Sequence, residues 1–364
     1  MTNPGKNVHH QIDENSPLRI AIVLSTWNGE KFLPELLKSL KRQTWLHWDL
    51  WVRDDGSDDG TVGLLEDFAK QMEHKSSRNR VWVKSGGNIG AVRSFLTLLT
   101  VIHNEYDAYA FCDQDDVWLP RKLERAATAI KNHQTNETDG DKPFLYHAGQ
   151  WLEDQRSGKR TTSTAPVRTG FANALVQNQV VGCTMVINQA LRTCLLHGTA
   201  IKQENDPFSD IIMHDWWCYL LASGFGAITY DPEPVIIFRR HEQSTTPVAV
   251  NYWRALQKRL AAMNERGWSV SHIMRQAKAF SRLYAAHTNN ATGDIESSRD
   301  RKTLINKQSI CVLPVNKKQQ IGNLLRLTHS GFLTRILYLF FGEHKRAYCL
   351  DTFIFRLMVL QRRF

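Results

Sequence analysis

The stretch Tyr109–Leu123, YAFCDQDDVWLPRKL, decides how the chain is read. An apolar run from Tyr109 to Cys112 has the character of a buried strand, and Asp113, Asp115 and Asp116 follow it directly. Carboxylates this close repel one another and resist leaving water, so they persist where a cation or a hydrogen-bonded ligand offsets the cost. A divalent metal holding a phosphate is such an arrangement. Pro120 then opens a helical pattern, since its fixed φ and missing N–H suit a first turn.

Upstream, Leu18–Leu24 (LRIAIVL) is a continuous aliphatic run of the kind a fully buried parallel strand requires, and it ends in the polar STWNGEKF. Glu30–Gln43 spaces Phe32, Leu33, Leu36, Leu37 and Leu40 as one face of a helix. WDLWVRDDGSDDGT predicts a second strand running into a turn crowded by Asp54, Asp55, Ser57, Asp58 and Asp59. Val81–Val83 is a short third strand, and SGGNIGAVRSFLTLL places Gly86, Gly87 and Gly90 before a further helix. Strand and helix alternate to about residue 130, which points to a parallel, Rossmann-like nucleotide-binding half. The GxGxxG fingerprint of a dinucleotide dehydrogenase is missing.

Downstream the pattern loosens. Phe144–His147 and Gly182–Ile187 are expected strands, and Ser157–Thr169 between them an expected loop. MHDWWCYLLASGFG reads as a helix with Asp215 near its start, where a carboxylate meets the positive dipole end. AITYDPEPVIIFRRH reads as two short strands broken by Pro232 and Pro234. Residues 1–17 form a polar leader expected to be disordered, and from Trp253 onward the pattern is helical and basic.

Charge divides the chain at the same place. Residues 251–364 hold 20 Lys and Arg against 6 Asp and Glu, while residues 1–250 hold 26 against 30. Such a tail, interleaved with Leu, Phe and Tyr, suits helices lying on an anionic membrane surface. Nucleic acid ranks last among its partners, because no base-stacking motif accompanies the charge. The six cysteines are scattered without a CxxC pair, so neither a zinc site nor a disulfide framework is expected, and a reducing cytoplasm fits. No secretory signal stands at the N-terminus, and no run reaches the roughly 18 apolar residues of a membrane span.

Six strings in order carry a resemblance: LSTWNGEKFL (Leu24–Leu33), RDDGSDDGT (Arg53–Thr61), GGNIGAVRSF (Gly86–Phe95), FCDQDDVWLPRKL (Phe111–Leu123), HDWW (His214–Trp217) and FRRH (Phe238–His241). Over about residues 18–245 the chain resembles the family 2 glycosyltransferases, particularly their rhamnosyltransferase-like branch. The resemblance implies an α/β fold of the GT-A, nucleotide-diphospho-sugar transferase type, a Rossmann-like mixed sheet flanked by helices, over residues 18–250. Residues 251–364 would be a basic helical extension. It further implies Mg²⁺ or Mn²⁺, a nucleotide-sugar donor such as dTDP-rhamnose or a UDP-sugar, and inversion at the anomeric carbon.

Residue by residue, Asp113 and Asp115 match the family's DxD motif for metal and donor ribose, with Asp116 in support, and His241 matches a residue that completes the metal or diphosphate site. Thr26, Trp27, Asn28 and Glu30 fall in the first donor loop, with Trp27 placed against the base. Asp55 matches the carboxylate that reads a pyrimidine N–H; Asn88 and Arg93 fall on donor or diphosphate, and Arg239 and Arg240 are expected phosphate partners. Asp215 occupies the position of the catalytic base. The family's usual Glu before this base is replaced by His214, read as structural, and Trp216 and Trp217 are read as core or acceptor-wall aromatics. The activity expected is sugar transfer, L-rhamnose foremost, onto a cell-surface or lipid-linked glycan at the inner face of the cell membrane. A UDP-hexose transferase is the alternative within the class, and a nucleotide-sugar-binding assembly protein without catalysis the alternative outside it.

Overall fold

In the computed structural model, residues 17–74, 79–103, 105–154, 157–166, 169–201, 208–240, 270–285, 313–346 and 349–360 are described. Four parallel strands form its first half: β1 (Ile20–Thr26), β2 (Trp48–Asp54), β3 (Val81–Ser85) and β4 (Ala108–Asp113), in the order β3-β2-β1-β4. The chain therefore winds outward from β1 in one direction and returns to its other side with β4. That reversal opens a crevice at the carboxyl ends of β1 and β4, where open α/β sheets bind ligands.

The second half extends the same sheet. β5 (Val117–Trp118), β6 (Phe144–Asp154), β7 (Arg160–Thr162), β8 (Val186–Asn188) and β9 (Ala227–Arg240) continue it as β4-β8-β6-β9-β5, with β7 paired to β6. Because β8 runs antiparallel to both β4 and β6, the sheet is mixed. Three local expectations are corrected. Gly182–Thr184 is a 3₁₀ turn before β8 rather than part of a strand, and Arg160–Thr162 turns part of the expected loop into a hairpin. Pro232 and Pro234 do not divide the last strand, since β9 is continuous and shifts register against β6 at Ala148 and Gly149. A bulge removes the ladder bond that a proline cannot donate.

Period-two alternation along β1 divides its side chains between two cores. Ile20, Ile22 and Leu24 pack with α1 (Leu33–Leu40), α2 (Thr61–His74) and α4 (Lys122–Gln134) through Leu36, Phe68 and Ala126. Ala21 and Val23 face the opposite core, built on α3 (Ala91–Val101), α5 (Phe171–Ala174), α6 (Gln189–Ile201) and α7 (His214–Phe225). The described residues of the basic tail join that second core. They form α8 (Val270–Phe280) with a π turn at Ser281–Ala285, then α9 (Val315–Arg326), α10 (Phe332–Phe341) and α11 (Cys349–Leu360). Phe280 meets Trp217 edge-on at 5.8 Å, and the Tyr284 hydroxyl donates to the Cys194 carbonyl at 2.9 Å. Among the described residues no helix is long and apolar enough to cross a membrane.

Gly226 joins α7 to β9 at a point with no room for a side chain. A Cβ there would lie 1.7 Å from the Pro143 carbonyl oxygen, the same oxygen that accepts the Ala227 amide at 2.9 Å. Gly226→Ala is expected to lower unfolding free energy by about 3 kcal/mol or more. A denaturant midpoint equal to that of the unaltered protein would refute this.

Candidate active site

Three loops meet at the carboxyl ends of β1, β2 and β4. The ladders bring Thr26 opposite Asp54 and Ser25 opposite Asp113, so the loops leave the sheet at one level. The first two are clasped together. Thr26 Oγ1 donates to Asp54 at 2.9 Å, the Asn28 side chain accepts the Asp58 amide at 3.0 Å, and Glu30 accepts the Gly60 amide at 3.0 Å. Asn28 sits at φ 47°, a left-handed conformation that Asn adopts more readily than most residues. Thr26, Asn28 and Glu30, expected at the donor, thus have partners inside the protein. The Trp27 ring remains 53% exposed at the mouth.

Gln114, the middle residue of the acidic stretch, fixes that mouth. It accepts the Trp27 amide at 2.8 Å and donates to the Trp27 carbonyl at 2.9 Å, tying the first loop to the acidic one. No sequence signal marked it, because the middle position of a DxD pattern is open to any residue type.

Asp55 is buried, and its carboxylate pairs with Arg53 while accepting the amides of Ile89 at 3.0 Å and Gly90 at 2.7 Å. It therefore lies at the positive end of α3, where both the dipole and the free amides favour a negative charge. Arg53 in turn donates to the Gly87 carbonyl at 2.9 Å and holds the glycine loop down. Asn88 caps that loop by accepting the Gly90 amide at 3.2 Å, and Arg93 stands exposed on the first turn of α3.

The acidic stretch itself closes around a buried lysine. Lys122 and Asp116 are both 0% exposed. The ammonium donates to the Cys183 carbonyl at 2.5 Å and lies 3.3 Å from the centre of the Trp118 ring. Burial, only partly offset by the neighbouring thiols and carboxylates, lowers the Lys122 pKa to about 8. Both Asp116 oxygens lack a hydrogen-bond partner, and burial followed by repulsion from Asp113 and Asp115 pushes this carboxyl well above its ordinary value. Asp113 is displaced upward as well, by burial, then by Asp115 and Asp215. Ligand atoms of Asp113, Asp116 and Cys183 lie within 4.8 Å of one another. Hard carboxylate oxygens, two of them buried and unsatisfied, fit a Mg²⁺ or Mn²⁺ ion. Lys122 and Cys183 escaped the sequence reading, although a cation in the first turn of a helix opposes the dipole and is itself a signal.

Asp215 stands on the first turn of α7, 4% exposed. Burial raises its pKa to about 6 against the amides of Trp216 and Gly182 and the Asn178 side chain, all of which favour its charged form. His214 is packed between Phe95 at 4.4 Å and Phe111 at 5.2 Å, and burial drives its pKa to about 3. It is a neutral wall residue at pH 7. Arg239, expected on phosphate, instead points into the protein. It donates to the Asp115 carbonyl at 2.6 Å and the Phe32 carbonyl at 3.1 Å and pairs with Glu35, so it braces the acidic loop from behind. His241 lies outside the described residues, and Arg240 is described only as the last residue of β9.

Residues 21–175 match the model of glycosyl transferase family 2. The dTDP-rhamnosyl transferase RfbG of Shigella flexneri is 27% identical over 259 residues, which is 70% of this chain and 84% of that protein. The UDP-Glc:alpha-D-GlcNAc-diphosphoundecaprenol beta-1,3-glucosyltransferase WfgD of Escherichia coli is 26% identical over 174 residues, 47% of this chain and 61% of that one. Residues 1–349 of S. aureus TarS in complex with UDP superpose with a TM-score of 0.46 at 15% identity, covering 88% of this chain and 83% of the other. The matched segment contains the loops that carry Asp55 and Asp113, and over residues 21–175 the chain, with its mixed α/β sheet, is similar to the family 2 glycosyl transferases, a rhamnosyl transferase among them.

Proposed function

We propose that the chain is an inverting, cation-dependent transferase that moves L-rhamnose from dTDP-rhamnose onto a glycan or lipid-linked glycan. The observation that carries this reading is a pair of neighbouring carboxyl groups, Asp113 at the end of β4 and Asp215 at the start of α7, close enough for Asp215 to raise the cost of charge on Asp113. Direct displacement with inversion needs a proton acceptor on the side opposite the leaving group. Asp215 takes the proton of the acceptor hydroxyl. The acceptor oxygen bonds to the anomeric carbon, and the bond from that carbon to the diphosphate breaks with its electron pair leaving on the nucleoside diphosphate.

A bound divalent cation supplies charge stabilisation to the departing diphosphate. Asp113 and Asp115 would hold it, with Asp116 behind them and His241 completing the set. Trp27 offers its exposed ring to the base, and Asp55, Asn88, Arg93 and Arg240 supply the remaining donor contacts. The similarity to a dTDP-rhamnosyl transferase favours dTDP-rhamnose. A UDP-hexose donor is the second reading, favoured by the similarity to a UDP-glucose-dependent enzyme and by an Asp55 that would read uracil and thymine alike. With purified protein and either donor, sugar release is expected from dTDP-rhamnose, and turnover of UDP-glucose alone would remove the rhamnose assignment.

As the base, Asp215 must be ionised. Its pKa is raised, so the active form grows as pH rises through about 6, and kcat is expected to climb over that window and level above it. Asp215→Asn should cut kcat by about 10²- to 10⁴-fold with donor affinity kept within about threefold, as calorimetry would report. Full turnover in this variant would exclude the role.

The place of action in this reading is the cytoplasmic face of the membrane. It is supported by the cation excess of residues 251–364 and by Leu333 and Leu337, one turn apart on α10 and 76% and 60% exposed. Apolar anchors beside cations favour an anionic bilayer surface. The protein should sediment with phosphatidylglycerol vesicles at low salt and be released at about 0.5 M salt, where screening is strong. Equal sedimentation with neutral vesicles would contradict an electrostatic attachment.

A further inference from the structure

The reaction as written does not use Lys122, yet the fold buries it completely in the middle of the site. A buried ammonium is costly unless its surroundings compensate it. Here its hydrogen bond goes to the Cys183 carbonyl at 2.5 Å, with the Trp118 ring beneath it at 3.3 Å. Cys183 is the centre of the 3₁₀ turn Gly182–Thr184, closed by the Met185 amide on the Gly182 carbonyl at 2.9 Å. That turn is joined to β4 directly, since the Phe111 amide donates to Met185 at 3.1 Å.

The other side of the turn touches the base. The Gly182 amide lies against the Asp215 carboxylate. A Cβ on Gly182 would fall 2.8 Å from His214 Nε2 and 3.4 Å from Asp215 Cβ. The turn is therefore wedged between the acidic stretch and the start of α7. On its donor side Lys122 holds it, and on its acceptor side Asp215 rests on it.

We propose that Lys122 is a positioning residue for the base: by pinning the Cys183 carbonyl it fixes the Gly182–Thr184 turn, and so sets the spacing between Asp215 and the donor-side carboxylates Asp113 and Asp116. This rests on Asp215 being the base. Lys122 touches neither the acceptor nor the reacting carbon, and it acts through the turn. Its removal must therefore be felt in the chemical step more than in donor or cation binding.

Lys122→Met keeps the stem and removes the ammonium. The variant is expected to lose at least about tenfold in kcat, with donor KM and the Mn²⁺ dissociation constant, measured by calorimetry without donor, within about threefold of the parent. Gly182→Ala, which crowds the same turn while Lys122 is intact, should show the same selective loss. A change confined to Mn²⁺ affinity or donor KM would make Lys122 a charge partner of the carboxylates and overturn the proposal, as would a kcat within about threefold of the parent. If Lys122→Met does not fold, Gly182→Ala, which leaves Lys122 and the carboxylates of the cation site intact, is read by the same criteria by itself. Asp215→Asn run alongside separates the two ideas. If it turns over normally, the base assignment fails by itself; if it is inactive while Lys122→Met is unimpaired, only the positioning role falls.

Discussion

Mutual repulsion among carboxylates at the end of β4 is the constraint on which the rest of the structure depends. Asp113, Asp115, Asp116 and Asp215 converge on one region, and burial raises the cost of charge on three of them. Left to themselves, such groups would draw in water or splay the loop apart. The fold resists by placing donors behind them. Lys122 stands under the loop, Arg239 holds the Asp115 backbone, and Gln114, between the first two acids, ties the loop to the Trp27 backbone. Both buried carboxylate oxygens of Asp116 are left without a hydrogen-bond partner, so the cluster is held in shape while remaining short of positive charge. A site in that condition is poised for a cation together with an anionic ligand.

The loops that follow β1, β2 and β3 are built on the same plan with different parts. Asp54 and Asp59 accept amides and hydroxyls of the β2 turn, and Asn28 and Glu30 reach across to it from the β1 loop. Asp55 is fixed by Arg53 and the first amides of α3. Much of the conformational entropy of both loops is thus lost on folding rather than on ligand binding, which preorganises the site. Trp27, Asn88 and Arg93 are left exposed at the rim.

The parallel half of the fold was legible because β1 and β4 are buried and read as apolar runs, Leu18–Leu24 above all. Asp113, Asp55 and Asp215 were legible for a similar reason: each is an acid set against an apolar run, and the structure brings them to one end of the sheet. What stayed hidden depends on contacts far apart in sequence. That β9 crosses two prolines without breaking follows from a register shift in its partner β6, which β9 itself does not encode. Arg239 looked like a phosphate ligand because a cation after a strand has that use. Only the packing of Glu35 and Phe32 against it shows otherwise. Lys122 and Gln114 were missed because they act on backbone atoms of residues 61 and 87 positions away, and Gly182 because its own amide serves the carboxylate of Asp215, 33 positions on; no side-chain pattern announces such bonds.

The helix that carries Asp215 shows why the basic tail belongs to the same structural problem. All twelve residues of α7 are buried, and HDWWCYLLASGF has no polar face to offer solvent. A helix apolar all round must be covered on every side. α5 and α6 cover part of it, and Phe280 and Tyr284 from the tail cover another part through Trp217 and Phe225. The charge change at residue 251 is thus not a change of core, since the described residues on both sides of it pack into one cluster. A carboxylate serving as the proposed base gains from a helix clamped on all sides. The tail therefore has a mechanical bearing on the site whatever surface its lysines and arginines meet.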